Sequence, residues 1–132
     1  MYLLDTNIIS YWMRGDKGVI GRIKEHSPAD LALSAITLAE ILYGIEKSPV
    51  KKNERRLKID GITSLLDLYP FGESAAAKYA VVRAQLEKEG TPISERDIQI
   101  AAIAMANRLT VVTHNVKEFN RIRKLKVEDW GG

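Results

Sequence analysis

The sequence predicts an α/β fold: a central, mainly parallel sheet of about four to five strands flanked by helices. Three observations predict it. Short apolar runs, at residues 1–5, 31–36 and 110–113, are separated by stretches with helical periodicity, the order expected when parallel strands are joined by helical crossovers. The runs are solidly apolar, as in strands covered on both faces. The segment IQIAAIAMA is apolar nearly all round, so a helix there must be buried on most sides. At 132 residues without a Gly/Ser/Pro-rich linker, residues 1–132 form a single domain.

The opening stretch MYLLDTN reads as a strand that stops at Asp5, with Asn7 as N-cap of a helix over residues 8–13. Asp16 caps a second short helix carrying Val19, Ile20 and Ile23, and Pro28 ends it. A second strand over 31–36 leads into a helix opened by Thr37, where Leu38, Ile41, Leu42 and Ile45 keep helical spacing and Glu40 falls in the first turn. Residues 51–66 are helical with an interruption at Gly61, and 66–69 form a third strand ending at Pro70. Ala75, Tyr79, Val82 and Leu86 mark one face of a helix over 73–89, and Gly90 supplies the left-handed stop. Ser94 opens the buried helix, which runs to about Asn107. A β-branched strand follows at 110–113, and a last short strand lies near 125–127.

Composition narrows the function. The absence of cysteine excludes disulfides and thiolate metal sites. No leader pattern precedes the first strand and no apolar run approaches membrane-spanning length, so a cytoplasmic protein without a membrane role is expected. The net charge of +3 is too small for a DNA-coating protein. The cations gather in two clusters, one over residues 47–58 and one over 117–126, each either a phosphate track or a solvated face.

Ligands in an open parallel sheet bind beyond the carboxyl ends of the strands, where the strand order switches direction. Asp5 closes the first strand, Asn115 lies just past another, and Glu40 and Asp97 stand in first turns of helices that start at that rim. Thr37-x-x-Glu40 and Ser94-x-x-Asp97 also match the capping box, so each acid taken singly is explained as a cap. An acid closing an apolar strand is costlier to hold, which leaves Asp5 the least cap-like. Together, three carboxylates and an amide make an oxygen-only set suited to Mg²⁺ or Mn²⁺. Three carboxylates, two divalent ions and one phosphodiester are electrically neutral, the balance of two-metal phosphoryl transfer. Glu95 and Glu118 are either auxiliary acids or solvent-exposed residues; Thr6, Asn7 and Thr113 either orient ligands by hydrogen bonds or only turn the backbone. His26 and His114 read as surface residues, and Trp12, Tyr43 and Trp130 serve either base stacking or packing.

The stretches LDTN at 4–7, SAITLAEILYGIEKS at 34–48, GTPISERDIQIAAIA at 90–104, VVTHNVKEF at 111–119 and VEDW at 127–130 resemble the PIN-domain ribonucleases, and most closely the VapC toxins of toxin–antitoxin pairs. The resemblance covers essentially the whole chain. It implies a three-layer PIN-like fold with metal ligands at Asp5, Glu40 and Asp97. The family's fourth acidic position is Asn115 here, a neutral oxygen, which implies one tightly held ion and one recruited with substrate. It further implies a Mg²⁺-dependent endoribonuclease that cuts RNA, commonly tRNA and often initiator tRNA. A homodimer, a cognate VapB-like antitoxin lying across the groove, and operator DNA bound through that antitoxin complete the expectation.

Other readings fit less well. A haloacid-dehalogenase-like phosphatase needs a second Asp two residues after the first, where this chain has Asn7. A receiver domain needs paired acids by the first strand and an Asp ending the third, which ends at Pro70 instead. The remaining alternative is a non-catalytic PIN-like module that binds RNA or a partner; Asn115 favours it mildly, the three acids do not.

Overall fold

The structure, a computed structural model, describes residues 1–131. Strands β1 (Tyr2–Leu4), β2 (Leu31–Ser34), β3 (Asp67–Tyr69), β4 (Thr110–Val112) and β5 (Val127–Glu128) form one sheet in the order β3-β2-β1-β4-β5. Every pairing is parallel, with Leu4 beside Val112 and Leu3 beside Ala32. The helices are α1 (Thr6–Met13), α2 (Lys17–Lys24), α3 (Ala35–Glu46), α4 (Lys52–Leu65), α5 (Glu73–Lys88), α6 (Glu95–Asn107) and α7 (Val116–Phe119). Among the described residues no helix is long and apolar enough to cross a membrane.

Strand alternation sorts the core into two layers. Leu4, Leu31, Leu33 and Val112 point to one face and pack with Ile8, Ile9, Ile41 and Ile59 from α1, α3 and α4. Leu3, Ala32 and Val111 point to the other, where α5 and α6 supply Val82, Leu86, Ile100 and Ile103. The three-layer expectation holds because Leu3, Leu4, Leu31 to Leu33, Val111 and Val112 in the central strands are all apolar, whichever face they serve. The helix α6 buries Ile98 and an unbroken run from Ile100 to Ala104, as its all-round apolarity requires.

Several boundaries differ from the sequence reading, each for a local reason. The β2 strand stops at Ser34, whose buried hydroxyl accepts the Thr37 backbone N–H at 3.0 Å. Ser34, and not Thr37, is therefore the N-cap of α3, and Glu40 sits in its second turn. Likewise Asp5, and not Asn7, caps α1: its Oδ1 accepts the Ile8 N–H at 3.0 Å. In both places two cap-type residues lie near each other, and the earlier one is already at the strand end. Gly61 does not interrupt α4, and the last strand is Val127–Glu128.

Arg55 corrects the reading of the first basic cluster. Its guanidinium donates to the carbonyls of Gly44, Ile45, Ser48 and Val50, closing the end of α3 and the loop beyond it. Neighbouring Lys52, Arg56 and Lys58 pair with Glu46, Asp60 and Glu54. This cluster is mostly spent on structure. Arg55→Ala should therefore destabilise the fold by about 1–3 kcal/mol, since it strands several carbonyls, while Arg56→Ala should cost no more than about 0.5 kcal/mol. Urea unfolding of the two variants checks the difference.

Candidate active site

The site begins where β1 ends. The chain lays β2 and β3 to one side of β1 and β4 and β5 to the other, so the direction of strand order reverses between β1 and β4 and a crevice opens beyond their carboxyl ends. Asp5 stands at that point. Its backbone N–H extends the ladder to Val112 O at 3.0 Å, and its side chain is only 3% exposed. Burial pushes its pKa up to about 6, and the charge of Asp97 adds to the rise; bonds from the Thr113 hydroxyl and the Ile8 and Asn7 N–H groups oppose it. The bonds from the Ile8 and Asn7 N–H groups make Asp5 a cap after all.

The N-cap residue of α6, Ser94, accepts the Asp97 N–H at 3.2 Å and places Asp97 in the helix's first turn. The Asp97 carboxyl is also raised, first by burial and then by the charges of Glu118 and Glu40, against relief from Ser94 and Arg96. Glu40 reaches the same rim from α3. The Thr6 hydroxyl donates to its Oε1 at 2.6 Å and lies 3.2 Å from the Thr37 hydroxyl, while Arg96 donates to its Oε2 at 3.1 Å. Beside Glu40 opens a groove of about 480 Å³ whose lining includes Thr6, Ser10, Tyr43, Lys58 and Arg96.

Asn115 sits at the start of α7. Its backbone N–H donates to the Thr113 hydroxyl at 2.8 Å, and its side chain makes no capping bond. The short α7 helix brings Glu118 to within electrostatic reach of Asp97. Glu95 points elsewhere, paired with Arg83. Asp5, Asp97, Glu40 and Glu118 thus influence one another at one rim, although among the described residues no three acids or histidines converge into a closed cation cage. The donors are all oxygens and their negative charge is only partly relieved, which fits a hard divalent cation and not a soft one.

Sequence reasoning missed Arg96 as the partner of Glu40. The pair spans 56 positions, and nothing local in ERD marks it. Of the other chemical candidates, Tyr43 is 63% exposed and lines the groove, whereas His26 and Trp130 resolve into packing. His26 is half-buried and stacked on Trp130, with ring centroids 4.6 Å apart and planes 3° from parallel, so it is not the free surface residue expected. Trp130 itself is 2% exposed and packs against Tyr2, which leaves it no surface for a base. His114 lies 3.4 Å from Asp129 at the surface.

Comparison with known proteins agrees with this architecture. Residues 2–125 match the PIN domain. A tRNA(fMet)-specific endonuclease VapC from Shigella flexneri is 33% identical over 98% of this chain and 97% of its own length. Ribonuclease VapC2 from Rickettsia felis is 36% identical, with 98% of each chain covered. The crystal structure of VapBC2 from Rickettsia felis, bound to a DNA fragment from its promoter, superimposes with a TM-score of 0.92 at 35% identity, covering 98% of each chain. VapBC from Salmonella typhimurium, also solved bound to DNA, gives a TM-score of 0.91 at 32% identity over 98% of each chain. With the reversal of strand order at Asp5 and the acids gathered beyond it, these matches place the chain in the PIN domain family, among its VapC ribonucleases.

Proposed function

We propose that the chain is an endoribonuclease toxin that hydrolyses phosphodiesters of tRNA with the help of Mg²⁺, or Mn²⁺ in its place, and is neutralised by a cognate VapB-like antitoxin. The observation that carries the reading is the carboxyl of Asp5. It is buried at the switch point of a parallel sheet, its pKa is raised to about 6, and Asp97 lies close enough to repel it. A fold keeps such a group at a cost only where another charge arrives to share it. The relatives' names supply the substrate class and the antitoxin, and their complexes with promoter DNA make operator binding a property of the toxin–antitoxin pair. A cytoplasmic location accords with that role.

In this reading Asp5, Asp97 and Glu40 hold the metal, and Asn115 adds a neutral oxygen. An ion held by these oxygens would supply polarisation of the phosphate and a lowered pKa for an attacking water. The chain's own residues prepare the place. Asp5 is fixed by the Ile8 N–H and the Thr113 hydroxyl, and Glu40 by Thr6. Arg96 neutralises the outer oxygen of Glu40 and lies beside the groove where a phosphate enters. Glu118 supplies negative charge near Asp97 that the amide at Asn115 does not.

Cleavage of tRNA by antitoxin-free protein tests the assignment. Activity should require Mg²⁺, stop with EDTA, and fall at least about a hundredfold in Asp5→Asn and in Asp97→Asn. Wild-type protein that binds tRNA and divalent metal but leaves the RNA intact establishes the non-catalytic alternative.

Stability offers a second test. The Asp5 carboxyl titrates near 3.8 unfolded and near 6 folded, so the native state favours its proton. Its contribution is fully present below about pH 4 and lost as pH rises to about 6. Metal-free wild type should lose about 1–3 kcal/mol across that window relative to Asp5→Asn, because Asn caps α1 without the buried charge. Divalent metal at pH 7 should raise the melting temperature of the wild type and not that of Asp5→Asn.

A further inference from the structure

At the far end of α6 from Asp97 lies a second, chemically distinct cavity of about 330 Å³. Lys78 from α5, Arg108 at the end of α6, and Lys124 and Lys126 ahead of β5 surround it, over a floor that includes Met105 and Leu125. No carboxylate lines it, whereas Glu40 borders the groove at the acidic rim. Among the described residues none of the four cations takes part in an ion pair, although cations elsewhere on the surface commonly do.

Structure does not already employ these side chains. A cation at a helix C-terminus ordinarily serves the last carbonyls. Here backbone amides serve them: Arg108 N–H bonds Ala104 O and Met105 O, and Leu109 N–H bonds Ala104 O at 2.8 Å. The second basic cluster of the sequence divides accordingly. Arg121 donates to the Pro92 carbonyl and Arg123 pairs with Glu89, while Lys124 and Lys126 turn to the cavity and are joined there by two cations remote in sequence.

We propose that this cavity is a phosphate-binding station for folded RNA, separate from the cleavage rim. The chemistry it fits is that of a nucleic-acid backbone: converging cations for phosphates, and an apolar floor on which a sugar or base edge rests. Asp97 and Arg108 are eleven positions apart on one helix, about 16 Å along its axis and at opposite ends of the sheet. The straight path between the two runs through the protein, so an RNA that engages both must pass around the edge of the sheet, and a short oligonucleotide held in the rim groove does not make that detour. A tRNA-sized fold does, so the station selects structured RNA by shape. The inference rests on the nuclease reading for its substrate.

The test neutralises the cavity without altering its backbone. Lys78→Gln and Lys126→Gln are combined with Arg108→Asn and Lys124→Asn, because Arg108 and Lys124 have φ of +56° and +66°, a region Asn tolerates. A control variant neutralises the exposed Lys17, Lys24, Lys51 and Lys88 instead. For the cavity variant KM on full-length tRNA should rise about tenfold with kcat unchanged, cleavage of a short stem-loop should stay at the wild-type value, and the control should match wild type. In the Asp97→Asn background, the slope of log binding constant against log salt should become shallower by about 2–3 for tRNA alone. Unchanged tRNA binding and slope overturn the proposal, as does an equal loss for tRNA and stem-loop, which marks a general charge effect. If the wild type cuts neither RNA, the nuclease reading fails while the binding comparison still decides the station.

Discussion

A carboxylate placed at the end of a parallel sheet, in a spot almost closed to water, is the constraint around which the chain is arranged. Asp5 meets it with one oxygen by capping α1, which anchors that helix to the strand before it and sets the direction in which the chain leaves the sheet. The hydroxyl of Thr113, from the end of β4, meets another part of the demand. Burial still outweighs these bonds and holds the carboxyl's pKa up at about 6. The acids around it cannot help: Asp97 repels it, and Glu40 and Glu118 in turn repel Asp97. The buried carboxyl therefore lowers local stability at this one point.

The repulsion is contained by hydroxyls and one guanidinium. Thr6 follows Asp5 directly and reaches across to Glu40, with the Thr37 hydroxyl beside it, so the first turn of α1 and the second turn of α3 are tied together. Arg96 closes the arrangement from α6. Three helices thus hold the rim in register: Asp5 caps α1, while α3 and α6 carry Glu40 and Asp97.

Much of this was legible in the sequence, and the errors have physical causes. Helical periodicity placed α3 and α5, because one apolar face per helix leaves a clear spacing, and α6 was placed by the all-round apolarity of IQIAAIAMA. The strands were legible only as apolar runs, since burial on both faces removes the alternation that marks their ends. That is why residues 35 and 36 were read as strand although Ser34 already caps α3. Asp5 was legible as an acid at a strand end but not as a cap, because Asn7 offered the same chemistry two residues later. Asp97 and Glu40 were legible as acids near one rim through the alternation of elements. Contacts made across the fold left no local mark: Arg96 with Glu40, Arg55 with the end of α3, and His26 on Trp130 join residues that only the tertiary structure brings together.

The run Ala101, Ala102 and Ala104 in α6 is fully buried and flanked by Ile100 and Ile103. Small side chains let this helix lie close against the sheet, and the same rod carries Asp97 at its front end. A larger residue at Ala101 or Ala102, both fully buried, crowds the packing against the sheet and lifts the helix. Lifting moves the carboxylate away from its neighbours, and displacements of about 1 Å are costly in such sites. If the rim acids carry the activity proposed for them, the protein can be silenced by many substitutions that touch no acid and no hydroxyl. For a chain whose activity is harmful to its own cell, this gives a wide genetic target for inactivation, and disarmed copies should arise through the interior more often than through the rim.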